Sequence, residues 1–371
     1  MTPQERQAWV RRMGTRREWW DSRAEDVVEP DWDIVDAHIH LWEERDFPDP
    51  SGDAAPLCTS RYMLPELLAD IGAGHRVTGI VYVECGSGYR PDGLSHMQPV
   101  GEAEFASRQA GELARVAPGT QLGAAILHAD LTSPHLAQLL DAYREVGRRL
   151  VTGIRQSGAR IEDPSARLLA GAARRGLYTE PAFLYGLAGL GDRGLVFDAF
   201  LFADQLGELV EMARQAPDTT IVINHTGAPL GHSGSAGPGD PIFDAWARQI
   251  DRIADLPNLV MKLGGLASIV TAYDAHLRAR PPSSEEFIDE RGAYVRHAIR
   301  RFGPERCMFE SNFPVDSTSI GYRTLWNAYK MLASEHRPEQ RQALLCGTVR
   351  EIYSMHAASA CDGRGDDDAA A

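Results

Sequence analysis

The run Ile34-Val35-Asp36-Ala37-His38-Ile39-His40 joins an apolar stretch to a His-x-His pair. On an extended strand alternate side chains share a face, so His38 and His40 point the same way, about 6.6 Å apart. Two imidazoles at that spacing can share one divalent ion or grip one polar substrate. Asp36 falls on the same face, one step back, where it could orient a histidine by hydrogen bonding. A strand end with two surface histidines is the plainer alternative. His225 closes a second β-rich run, Thr-Thr-Ile-Val-Ile-Asn-His, before a Gly/Pro turn. With His38 and His40 it makes three imidazoles able to converge, and three protein ligands with an open fourth position is a catalytic zinc pattern.

Elements must exist to bring these residues together. Eight short β-like runs recur: Asp33 to His38, Thr78 to Cys85, Leu122 to Leu127, Val151 to Arg155, Leu195 to Phe200, Thr220 to His225, Leu259 to Leu263, and Cys307 to Ser311. Most are continuously apolar, as strands buried on both faces are. Helix-like segments separate them: Leu64 to Gly72, Glu102 to Ala117, Ser133 to Arg149, Ser165 to Arg175, Asp204 to Ala216, Phe243 to Leu256, and Ser284 to Phe302. A final pair follows at Thr324 to Ala333 and Pro338 to Met355. Strands alternating with helices imply parallel β/α units, and eight of them imply a single-domain (β/α)8 TIM barrel. A doubly wound sheet is the alternative. The barrel would span residues 33–356, after an extension over 1–32 and before an acidic, disordered tail over 357–371.

In such barrels the site lies at the C-terminal ends of the strands. Polar residues gather there. Strand two offers Tyr82 and Glu84 on one face, strand four ends in Arg155, and strand five carries Asp198. Strand seven carries Lys262, and strand eight runs Glu310-Ser311-Asn312-Phe313-Pro314 with Asp316 just beyond. Arg155 could clamp a substrate carboxylate bidentately. Its structural alternative is an ion pair with Glu180 or Asp198; for Glu84 it is a core pair with Lys262. Tyr82, Glu84, Asp198 and Asp316 complete the expected substrate-binding set. The loops Glu43 to Arg61, Gly86 to His96 (with Tyr89 and Arg90) and Ala228 to Pro241 would shape the pocket.

The segments Val-Asp-Ala-His-Ile-His-Leu-Trp, Gly-Ile-Arg, Gly-Leu-Val-Phe-Asp, Val-Ile-Asn-His-Thr-Gly, Val-Met-Lys-Leu-Gly-Gly-Leu and Cys-Met-Phe-Glu-Ser-Asn-Phe-Pro stand in this order along the chain. The ordered set resembles the amidohydrolase superfamily, and more closely its amidohydrolase 2 branch of TIM-barrel metal-dependent hydrolases, which includes sugar and pyrone dicarboxylate lactonases. Leu345-Cys346-Gly347-Thr348 with Tyr353 is similar to that branch's closing helix. The resemblance implies that His38, His40 and His225 surround the reacting centre and that Arg155 holds substrate. It also implies a zinc or manganese ion, although some members work without metal. The branch's strand-eight motif is Gly-Ser-Asp-Trp-Pro, whose aspartate is the general base. Here Glu310 replaces the glycine and Asn312 the aspartate. Asparagine cannot take up a proton at neutral pH. The base must then be Glu310, Asp316 or a histidine.

The leading expectation is opening of a lactone or related cyclic ester of a small carboxylated substrate by activated water. A decarboxylase on the same barrel, or a binding protein degenerate at Asn312, are the alternatives.

Composition bounds the partners. The 371 residues carry a net charge of −14, which disfavours nonspecific nucleic-acid binding. The 43% hydrophobic and 24% charged residues are ordinary globular values. The five cysteines form no CxxC pair, which argues against a disulfide framework and fits a cytoplasmic protein. No stretch reaches the roughly 18 apolar residues of a membrane helix, and no apolar signal core follows Met1. Thr2-Pro3-Gln4-Glu5 predicts a capped helix through Arg12. Trp19, Trp20 and Trp32 are expected to pack a lead-in arm on the body, or to join two copies in a homo-oligomer.

Overall fold

The computed structural model describes residues 17–43, 61–147, 149–161, 172–230, 237–268 and 271–355. The expected helix at Thr2 to Arg12, most of the loop Glu43 to Arg61 and the tail lie outside these residues. The strands are β1 (Asp33–Ile39), β2 (Arg76–Val83), β3 (Gln121–His128), β4 (Val151–Arg155), β5 (Val196–Ala199), β6 (Ile221–Ile223), β7 (Leu259–Leu263) and β8 (Cys307–Phe309). All are parallel, in the order β1 through β8. An Ile39–Phe313 bridge brings the first strand back to the last, so the sheet is a nearly closed (β/α)8 barrel.

The helices are α1 (Arg17–Asp21), α2 (Leu64–Ile71), α3 (Val100–Val116), α4 (Leu136–Gly147), α5 (Pro181–Gly191), α6 (Glu208–Gln215), α7 (Pro241–Ile253), α8 (Ser284–Phe302), α9 (Tyr322–Ser334), α10 (Pro338–Gln342) and α11 (Thr348–Ile352). Local chemistry sets their ends. Asp240 caps α7 by accepting from Ile242 N and Phe243 N, with Pro241 at the first helical position. Ser283 and Glu286 form a capping box on α8, and Gly303, at φ 83°, ends it.

Two expectations need correction. The β4–β5 crossover helix is α5, not Ser165 to Arg175: residues 172–175 are not helical and 165–171 lie outside the described set. Its sequence, PAFLYGLAGLG, has interior glycines and no polar stripe, so periodicity gave no signal. The single helix expected from Pro338 is broken by a π turn over Ala343–Gly347.

Two apolar layers hold the barrel. Inside, Val35, Ala37, Val81, Val83, Ile126 and Val260 meet Cys346, Val349, Tyr353 and Met355, which close the end opposite the site. Gly79 and Gly123 leave room there, since a Cβ on either would crowd Met355 at 3.1 and 2.4 Å. Outside, Ile34, Ile80, Tyr82 and their equivalents face the helices. Among the described residues no helix is long and apolar enough to cross a membrane.

The lead-in arm packs on the body. Trp19 Nε1 donates to Arg278 O, and Trp32 lies under the Arg341 guanidinium at 3.9 Å. Glu25 accepts from Ser284 N and Oγ at the start of α8.

Candidate active site

A register shift between Asp36 and Ile39 breaks the alternation of β1. Ala37 belongs to the barrel interior, and the bulge turns the next side chain, His38, inward as well. His38 and His40 therefore do share a face, but Asp36 does not share it with them. Asp36 instead accepts from Tyr322 OH at 3.0 Å and Ser311 N at 2.9 Å, on the helix side. Burial raises its pKa to about 6 against these hydrogen bonds.

The β1–β8 seam brings the rest together. Asn312 N donates to His38 O at 3.0 Å and His40 N to Phe313 O at 2.8 Å. This stitching sets Glu310, fully buried, beneath two imidazoles. Glu310 Oε1 accepts from both His225 N and His225 Nδ1, each at 2.8 Å. Its Oε2 lies 2.9 Å from His38 Nδ1 but out of line for a hydrogen bond, so both atoms lack an aligned partner. The His38 and His225 rings are 4.7 Å apart. His40 Nδ1 faces Val83 O at 2.9 Å. A carbonyl can only accept, so that nitrogen carries the hydrogen and His40 Nε2 is a lone pair. It sits 3.2 Å from His38 Nε2. Burial, then the positive charge of Lys262, pushes the His38 pKa well below the usual histidine range.

The donor set fits a divalent ion. Ligand atoms of His38, His225 and Glu310 lie within 4.8 Å of one another, all buried. Two imidazoles and a carboxylate suit zinc or manganese. The unaligned His38 Nδ1 and Glu310 Oε2 are the buried polar atoms that an ion would satisfy. His40, expected as a third ligand, stands outside this set; Glu310 takes its place.

Arg155 reaches the same centre, its Nη1 3.3 Å from His38 Nε2. Its partner is neither Glu180 nor Asp198 but Glu84, whose Oε1 takes Nε and whose carbonyl takes Nη2, each at 2.7 Å. The Nε side of the guanidinium fork is thus spent on the protein, so a side-on clamp on a substrate carboxylate is not available. Tyr82 and Glu84 do not share a face: Tyr82 turns outward and donates to Glu102 Oε1 at 2.8 Å.

Asp198 is fully buried and binds Lys262 Nζ at 2.7 Å, Tyr353 OH at 2.8 Å and Asn224 Nδ2 at 2.9 Å. Lys262 therefore belongs to Asp198, not to Glu84. Asp316 is fully buried, accepting from Asn312 Nδ2 at 2.8 Å and Ala267 N at 3.1 Å. Burial holds it protonated well above the usual carboxylate range. In the β2 loop, Arg90 pairs with Glu104.

The Gly264-Gly265 pair after β7, quoted above only within a motif, has a role that the sequence alone did not assign. A Cβ on Gly264 would lie 2.3 Å from Glu310 Cγ, and one on Gly265 2.4 Å from His225 Cβ. Gly265 also has φ +66°, a region that glycine enters freely. The doubled glycine was the signal available.

Comparisons with known proteins give the family. The family model described as amidohydrolase matches residues 35–355. An uncharacterized protein of Sinorhizobium fredii is 28% identical over 87% of this chain and 98% of its own. An L-fucono-1,5-lactonase of Burkholderia multivorans is 24% identical over 86% of this chain and 96% of its own. A crystal structure of a Burkholderia multivorans amidohydrolase with bound zinc superposes at TM-score 0.66 and 22% identity, covering 87% of this chain and 99% of that one. The matched span takes in all but the first residues of the barrel and every residue of its active end, and the chain belongs to the amidohydrolase family.

Proposed function

We propose that this amidohydrolase opens a lactone or related small cyclic ester with water. One observation carries the reading. The Glu310 carboxylate lies against both His38 and His225 at the end of the barrel where these folds do their chemistry, with Arg155 beside them. The likeness to an L-fucono-1,5-lactonase supports the reaction class.

His225 is the base. Its Nδ1 donates to Glu310, which fixes the tautomer and leaves Nε2 as a lone pair for a water proton. Glu310 stabilises the imidazolium that forms, the role a buried carboxylate plays behind a catalytic histidine. The acid lost at position 312 is thereby restored two residues earlier and acts through an imidazole. Arg155 Nη1 supplies a donor for the carbonyl oxygen as negative charge builds on it. The same His225 can return its proton to the ring oxygen that leaves. Alternatively His38, His225 and Glu310 would hold a zinc or manganese ion; His225 would then be a ligand rather than the base, and the ion would supply Lewis acidity toward the scissile carbonyl.

The test is lactone hydrolysis followed by acid release, with metal content measured by ICP-MS on chelator-free protein. His225→Ala is expected to lower kcat by roughly a thousandfold while the fold, read by circular dichroism, is kept. Equal turnover in variant and wild type would remove His225 from the chemistry. Carbon dioxide release from carboxylated aromatics, with no lactone opened, would contradict the reaction.

A further inference from the structure

Beside the reacting imidazole the described residues form an apolar wall. The Phe200 ring meets His225 edge-on, centroids 5.0 Å apart at 81°, and Phe202 stands 5.9 Å beyond. Ala159, Ile161, Ala228 and Leu230 complete the cluster. Phe200, Ile161 and Leu230 are only half-buried, so hydrocarbon is left open next to the catalytic ring.

Fixed hydrogen bonds hold this wall. Gln205 Oε1 accepts from Arg160 N at 2.9 Å and its Nε2 donates to Gly158 O at 2.8 Å. Gly158 N donates to Phe200 O at 2.9 Å, and Ala203 N to Ala228 O at 3.2 Å. Three separate loops, those after β4, β5 and β6, are pinned to one another. The backbone polar groups satisfied by this stapling are withdrawn from any ligand. Arg155, Glu84 and His40 gather about His38 instead, so the centre has polar groups as well as this hydrocarbon surface.

We infer that the substrate carries an aryl or alkyl substituent that packs on Phe200, rather than a ring hydroxylated all round. This rests on the lactonase reading above and narrows it. A polyhydroxy lactone would leave hydroxyls against the wall without partners, which is costly. An apolar substituent gains there from every methylene it buries.

The experiment compares kcat/KM of the full-length protein for δ-valerolactone, its phenyl-substituted derivative and gluconolactone. The phenyl compound is expected to exceed the unsubstituted ring by about tenfold or more, with gluconolactone lowest. Phe200→Ala should cut the phenyl preference by about tenfold, and Leu230→Asn, a milder change at the rim, should lower it as well. Gluconolactone turned over as well as the phenyl compound would overturn the inference. If no lactone is opened, the reaction class falls and the wall is judged by calorimetry with phenylpropionate and gluconate. Phenylpropionate binding that is weakened in folded Phe200→Ala supports the wall; binding unchanged by the variant, or none in wild type, overturns it.

Discussion

By its resemblance to the family's strand-eight motif, Asn312 stands at the position of a proton-accepting carboxylate, and its surroundings explain why placing an acid there is not simple. Its Nδ2 donates to Asp316 Oδ1 at 2.8 Å. An aspartate at 312 would turn that bond into two carboxyl groups in contact, both buried. Asp316 is already held protonated, so the new acid would either stay neutral as well or carry a desolvated charge. Asn312→Asp is therefore expected to cost about 2 kcal/mol of stability, seen as a lower Tm, and to give no gain in turnover. A faster enzyme would show that the asparagine is a lesion. At the same scale, Glu310 was legible as a departure from the family's strand-eight motif, but its role was not. Only the seam shows that it reaches His38 and His225 together.

At the scale of elements, the strand count and most helices were readable because each strand is an apolar run of its own. The facing of side chains near the site was not readable. The β1 bulge removes Asp36 from the histidine face, and the turn after Val83 separates Tyr82 from Glu84; alternation cannot foresee a change of register. The segment after β7 carries its own prediction. Gly264→Ala puts a methyl group into Glu310, and Gly265→Ala puts one into His225. Misplacing a catalytic group by about 1 Å costs roughly a hundredfold. Each variant should lose about that much kcat; unchanged kcat in either would mean that the site tolerates the shift.

At the scale of the molecule, stability depends on groups away from the chemistry. The arm is bound by Val28 N to Asn327 Oδ1 at 2.8 Å and by Lys330 Nζ to Glu29 O at 2.6 Å. Deleting residues 1–31 would remove these bonds and the Glu25 contacts to Ser284, a loss on the order of 3 kcal/mol that a denaturant titration would read. An unchanged midpoint would make the arm dispensable. Glu102 sets a pH dependence. Burial, then the nearby Glu84 charge, raises its pKa from 4.5 to about 7. The folded state thus binds its proton more tightly than the unfolded chain. This stabilisation is complete below 4.5 and is lost as pH rises through about 7. Glu102→Gln should flatten the fall in Tm across that window, and an identical slope would assign it to other groups. The central claim is that the working carboxylate lies at 310 and not at 312. The most direct measurement is kcat/KM for lactone opening by Glu310→Gln, an isosteric change. The account predicts a loss of about a thousandfold or more with the fold intact. Turnover within a few-fold of wild type would contradict it and leave His225 to act without the Glu310 carboxylate behind it.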